Sequence, residues 1–266
     1  MNSKKKFNFS IILTACINTV NMLPFLERTS VKDRLNDYKE TFNKWCQNEF
    51  TDKIIFIENS GHDLSFFNEK AKEFSNKTIE IISTNHNNAF DKNLGKGYGE
   101  FLSLKEIFEN SEISKNTDYF MKITGRYYIK NFSKIYEEFE KKKSDIQVYI
   151  KNNLTYADSH VFGGSKKFFL NYVVPLASKT NDSNGIFIEH CVAKATLLGI
   201  NDNLSFNHFS TYPDIHGFIG TNNKKIKNNI FKRIKLFFFG KIKNYLLRHK
   251  KYKKYLEKSK KNILIY

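Results

Sequence analysis

The sequence predicts an α/β chain: a mainly parallel sheet flanked by helices, with a basic amphipathic helical tail. Three observations predict it. Short apolar runs alternate with helical stretches from Phe9 to about Ile150, the pattern of strand–helix–strand units. Apolar residues make up 40 % of the 266 and aromatics 15 %, which is enough for one substantial core and argues against disorder. The charge is also segregated. Of a formal net charge of +17, residues 224–266 carry +15 (sixteen Lys/Arg against Glu257 alone), which leaves +2 for the rest. The chain reads as a nearly neutral domain, 1–222, followed by a basic segment, 223–266.

The elements follow in order. Phe9–Ile17 is a first strand behind the basic tip Lys4–Lys6. Leu35, Tyr38, Phe42 and Trp45 recur at helical spacing. "KIIFIENSG" is a buried strand running into a turn, "LSFFNEKAKEF" a helix and "TIEIIST" a third strand. The polar loop "NHNNAFDKNLGKGYG" leads into a helix starting at Glu100, then the strand "YFMKIT", the helix "FSKIYEEFEKKK" and the strand "DIQVYI". Beyond residue 157 the regularity weakens. "ADSHVFGGSKKFF" reads as a loop and turn into a helix, and a further helix runs from about Ile188 to Gly199.

In parallel sheets ligands sit outside the C-terminal strand ends, so the residues just after each apolar run are the candidates. Thr124-Gly125-Arg126 closes one strand, with Lys122 just inside. A turn that exposes N–H groups beside fixed cations suits a phosphate or diphosphate. The competing reading puts Lys122 on a solvated face and pairs Arg126 with Asp118. "GKGYGE" (Gly95–Glu100), with Lys96, offers a backbone cradle at a helix start, though its spacing is neither a Walker A loop nor a dinucleotide fingerprint. Glu58 and Asn59 supply acceptors for a ribose or base edge, or a simple turn. Glu189 stands at a helix start, where it could take a proton or merely favour the helix dipole. The seven histidines show no metal-ligand spacing, and no Gly-x-Ser-x-Gly elbow is present. Three scattered cysteines, Cys16, Cys46 and Cys191, form neither a disulfide framework nor a zinc site.

Taken together, "ILTACIN", "DRLNDYKETFNKW", "KIIFIENSGHDLS", "GKGYGE", "MKITGRYYI" and "IEHCVAKA" resemble bacterial surface-polysaccharide (capsule or lipopolysaccharide) glycosyltransferases with a GT-A-like fold, over roughly residues 9–210. The resemblance implies transfer of a sugar from a nucleotide-sugar, a UDP-sugar by analogy with the wider class, to a glycan or lipid-linked acceptor. It implies that Thr14, Ala15 and Asn18 line the nucleotide pocket with Glu58 and Asn59, and that Arg28 and Arg34 are further candidates. It places Glu189 as the base of an inverting reaction and Asp158 as the second choice, with Ser159 and His160 near the sugars. The larger class carries an Asp-x-Asp for Mn or Mg at the strand end; this chain has Thr124, Gly125 and Arg126 there. The expectation is therefore that Arg126, Lys122 and Lys96 replace the metal in part or whole, with no metal ligands assigned.

In the basic segment, Ile226, Ile230, Ile234, Phe237, Phe238, Ile242, Tyr245 and Leu246 recur at three- and four-residue steps among lysines. Such a helix suits an anionic membrane surface, here the cytoplasmic face of the cell membrane, or packs its stripe on the domain. Nucleic acid is not the expected partner. Two rival readings remain open: a lipoprotein lipidated at Cys16 of Leu13-Thr14-Ala15-Cys16, and a nucleic-acid-binding protein acting through the tail.

Overall fold

In a computed structural model of the chain, the structure describes residues 7–19, 26–151, 154–220, 223–226, 238 and 240–247. The basic tip and most of the proposed tail stripe lie outside these residues.

The first half forms as the periodicity requires. Strand β1 (Phe9–Ala15) leads to helix α1 (Val31–Gln47), β2 (Lys53–Glu58), α2 (Ser65–Lys72) and β3 (Thr78–Ser83). The strands pair in parallel, β1 between β2 and β4 (Tyr119–Thr124), which sets Ala15 opposite Glu58 and Thr14 opposite Thr124. Side chains alternate between two cores. Ile12, Ile57 and Phe120 face α3 (Lys96–Asn110) and α8 (Ile188–Asn201), while Leu13, Phe56 and Met121 face α1 and α5 (Phe132–Lys142). Both sheet faces are covered, so the strands are near-continuous apolar runs. Between these elements lie α4 (Glu112–Lys115), β5 (Tyr128–Ile129) and β6 (Ile146–Gln147).

Four expectations change. The first strand ends at Ala15 rather than Ile17, because Cys16 and Ile17 turn to meet α1 and Glu58. Helix α3 begins at Lys96, four residues before Glu100. "DIQVYI" shortens to β6 plus a single bridge at Ile150. The residues 161–165, read as a loop, are strand β7 (Val161–Ser165), antiparallel to β4. Its Gly163-Gly164 pair hides the strand in the sequence. A side chain on Gly163 would place Cβ 2.6 Å from the Phe120 carbonyl, and one on Gly164 would place it 2.3 Å from the Asp145 carbonyl, so only glycine allows the backbones to approach. The seven-stranded sheet, completed by β8 (Phe206–Asn207), runs β3-β2-β1-β4-β7-β6-β8. Next to β7 come the helical turns α6 (Lys166–Phe168) and α7 (Val174–Ala177); β9 (Ile215–His216) pairs with β5.

The residues that a lipidation signal would remove before Cys16 form the buried strand β1, which pairs with β2 and β4 on its two edges, so cleavage there would remove an interior strand of the sheet. Among the described residues no helix is long and apolar enough to cross a membrane. Residues 240–247 form a helical segment packed on the domain. Leu247 joins the core, and Asn244 exchanges hydrogen bonds with the His208 backbone, accepting from its N–H and donating to its carbonyl at 3.0 Å. The opposite face carries Phe238, Ile242 and Tyr245, exposed by 61 %, 56 % and 52 %.

Candidate active site

The ends of β1, β2 and β4, the start of β7 and the first turn of α8 surround a cavity of about 130 Å³. Thr14, Ala15, Asn59, Lys96, Thr124, Arg126 and Glu189 all line it. Residues from five distant stretches thus meet at one sheet edge.

One face of α1 holds that edge in shape. Arg34, Tyr38, Thr41 and Trp45 recur at helical spacing and turn toward the strand ends. The Arg34 guanidinium donates to the Cys16 carbonyl (Nε at 2.9 Å) and to the Arg28 carbonyl. The Tyr38 hydroxyl accepts from the Cys16 N–H at 3.1 Å. Thr41 donates to the Gly125 carbonyl, and the Trp45 indole donates to the Tyr127 carbonyl at 2.9 Å. Gly125 itself donates to the Thr14 carbonyl at 2.8 Å, and a Cβ there would stand 2.9 Å from that same oxygen. The turn after β4 is glycine because it lies against β1. Arg126 points into the cavity edge, with Nε donating to the Phe218 carbonyl at 3.1 Å. Asp118 instead meets Asn8, so the pairing of Arg126 with Asp118 does not form.

Several other candidates turn out to be scaffold. Glu58 is fully buried and does not line the cavity. Its carboxylate accepts from the N–H groups of Ile17 (2.8 Å), Ser60 (3.0 Å) and His62 (3.0 Å), and from the Ser60 hydroxyl. It therefore ties the β1 and β2 exits together instead of facing a ribose. Asn18 is off the lining, its N–H donating to Ser60 Oγ at 2.9 Å. Arg28 is held by Asp37 (Nε to Oδ2, 2.6 Å), whereas Arg34 does line the cavity with its guanidinium engaged by the carbonyls above.

Lys122 is neither solvated nor free for a ligand. It is fully buried beneath the cavity, paired with Glu100 and donating to the Ser159 carbonyl at 2.7 Å. The glycine-rich cradle is filled from within the chain. Asp182 lies against it, so that Cβ atoms added at Gly95 or Gly97 would run into Asp182 or Thr180. Burial pushes the Asp182 carboxyl up, while the Lys96 ammonium and the Gly97 and Lys96 backbone N–H groups pull it back. A side-chain carboxylate stands where a phosphate was expected.

The two carboxylates expected to serve as base, Glu189 and Asp158, are placed differently. Glu189, in the first turn of α8, accepts from the Ser159 hydroxyl at 2.7 Å. Asp158 is not on the lining; Oδ1 accepts from the His160 backbone N–H at 2.9 Å and meets His160 Nδ1 at 2.8 Å. Burial would raise the Asp158 carboxyl, but the His160 ring and N–H, with Lys122 nearby, hold it below the ordinary carboxylate value. It is an ionised anchor for His160, which does line the cavity. Sequence reading missed roles for Tyr38 and Glu100, which depend on long-range contacts that leave no local pattern. Burial pushes the Cys16 thiol up to about 12, so it stays neutral and is no nucleophile.

Among the described residues, no group of three or more His, Cys, Asp or Glu side chains could hold a metal ion. The nearby acids are separately engaged, Glu100 by Lys122, Glu189 by Ser159 and Asp158 by His160.

No protein-family model matches the chain, and no curated protein is similar to it in sequence. Solved structures give distant likenesses. They include HddC from Yersinia pseudotuberculosis complexed with GMP-PN (14 % identity, 61 % of this chain and 79 % of that one, TM-score 0.39). The inositol-1-phosphate CTP transferase from T. maritima is another (13 %, 78 % and 86 %, TM-score 0.44). Core-mannan synthase A from Aspergillus fumigatus, in a Mn/GDP form, is a third (10 %, 86 % and 80 %, TM-score 0.45).

Proposed function

We propose that the chain is a nucleotide-binding transferase, specifically a glycosyltransferase that uses a nucleotide-sugar donor. The observation that carries this reading is one cavity at the strand ends whose lining brings together Thr124, Arg126, Lys96 and Glu189. Arg126 meets the donor diphosphate, offsetting the charge that grows as it departs. The bond from the sugar anomeric carbon to the phosphate oxygen breaks with its electron pair leaving on the diphosphate. The acceptor hydroxyl oxygen forms the new bond, and its proton passes to Glu189.

The acceptor in this reading is a lipid-linked or surface glycan met at an anionic bilayer. The outward apolar face of 240–247 and the +15 carried by residues 224–266 support that placement.

The test is nucleotide release from a panel of nucleotide-sugars by wild type and Glu189→Gln. The reading expects kcat to fall by about 10²- to 10⁴-fold with the donor KM little changed. A variant with wild-type kcat would remove Glu189 from the chemistry.

A further inference from the structure

His160 is built as an aimed side chain. Its carbonyl accepts the Thr124 N–H at 3.0 Å, which locks the residue beside the Thr124-Gly125-Arg126 turn. Its backbone N–H and Nδ1 both converge on one Asp158 oxygen. A carboxylate on Nδ1 sets the tautomer, with the proton on Nδ1, and turns Nε2 to the opposite side. Among the described residues Nε2 has no hydrogen-bond partner, and the side chain is 45 % exposed on the cavity wall.

Its surroundings point to an anion. The Tyr127 ring centroid lies 5.3 Å from the His160 ring centroid and 5.3 Å from the Arg126 guanidinium carbon. The Tyr127 hydroxyl is buried on a residue of the lining, and the Arg126 guanidinium is its charged neighbour. Arg126 already commits Nε to Phe218. The charged groups around His160 are Asp158 on its own segment, Lys122 and its partner Glu100 below, Arg126 after β4, and Glu189 across on α8.

We propose that His160, held by Asp158, is a second cationic contact for the donor diphosphate. This rests on reading the cavity as a nucleotide-sugar site. Protonated, His160 donates from Nε2 to a non-bridging phosphate oxygen, beside Arg126 and the Tyr127 hydroxyl. It keeps its proton throughout, so no bond to His160 forms or breaks and the imidazolium acts only by charge and hydrogen bonding. Arginine and lysine keep their charge across neutral pH, whereas imidazole changes charge between about pH 5 and 8. The site therefore carries a pH signature that an Arg-only cradle lacks.

The test is calorimetric binding of UDP, GDP and CDP to the full chain at pH 5.5, 6.5, 7.5 and 8.5, for wild type, His160→Gln and Asp158→Asn. Free nucleotides titrate in this range too, so the quantity to read is the affinity ratio of wild type to variant in the same buffer. The expected ratio for His160→Gln is about tenfold at pH 5.5, the size of one charge-assisted hydrogen bond, falling toward one at pH 8.5. In Asp158→Asn the ring loses the partner that aims Nε2, and affinity at pH 5.5 is expected to fall in the same direction as in His160→Gln. A ratio near one, or one constant with pH, overturns the inference while leaving the nucleotide reading intact. Failure of wild type to bind any of the three overturns both. Should His160→Gln fail to fold, the wild-type histidine whose NMR signals move in Asp158→Asn serves instead. Its titration is expected to shift upward on nucleotide binding, and an unshifted titration overturns the inference.

Discussion

Individual side chains divide into those that face the cavity and those that hold it, and charge alone does not separate the two. Arg126 and Lys122 stand in one strand-turn segment, yet Arg126 reaches the cavity wall and Lys122 lies beneath it against Glu100. Glu58 is the clearest holder. Its four donors come from both strand exits, and a carboxamide in its place would offer one acceptor oxygen and turn an N–H₂ toward donors. Glu58→Gln is therefore expected to cost about 2–4 kcal/mol, read as a lower urea midpoint. An unchanged midpoint would show that the strand exits are held by other bonds. Polar type and strand-end position were visible in the sequence for both Glu58 and Asn59. Which of them meets the cavity was not, because it depends on whether the side chain turns back onto its own backbone.

Among the elements, β7 and the helical segment 240–247 show the limits of periodicity most directly. Strand β7 contains adjacent glycines because neighbouring carbonyls come too close for a Cβ, which is a tertiary demand with no local signal. Gly163→Ala forces the Phe120 carbonyl away and is expected to destabilise by about 1–3 kcal/mol, measurable by thermal or urea unfolding.

The 240–247 segment docks on His208, a fully buried residue whose Nδ1 meets the Phe209 carbonyl at 3.2 Å. Burial, reinforced by Lys243, pushes the His208 imidazole down to about 4 from its ordinary 6.5. The unfolded chain therefore takes up a proton between pH 6.5 and 4 that the folded chain refuses. The stability from a neutral His208 is complete above pH 6.5 and declines as pH falls toward 4, by up to about 3 kcal/mol. Urea midpoints at pH 7 and 4.5 should show this fall in wild type, and a smaller one in His208→Gln. Equal falls would place the acid sensitivity elsewhere.

For the whole molecule, the parallel half was legible because strands covered on both faces are continuous apolar runs separated by amphipathic helices, as β1, β2 and β4 are. The convergence of Thr14, Asn59, Thr124 and Arg126 on one edge followed from that topology. The contacts made by the segments beyond residue 157 did not. Asp182 fills the glycine cradle from far along the chain, and Asp158 serves His160 rather than the cavity. Such contacts depend on how the irregular segments fold back, which no spacing encodes.

The central claim is that the strand-end cavity binds a nucleoside diphosphate through fixed cations. The most direct measurement is calorimetric binding of UDP, GDP, CDP and CMP, each in EDTA and in manganese, to wild type and Arg126→Ala. One diphosphate is expected to bind in EDTA, and Arg126→Ala to weaken it at least about tenfold. Binding that requires manganese, or binding unchanged in Arg126→Ala, would contradict the claim.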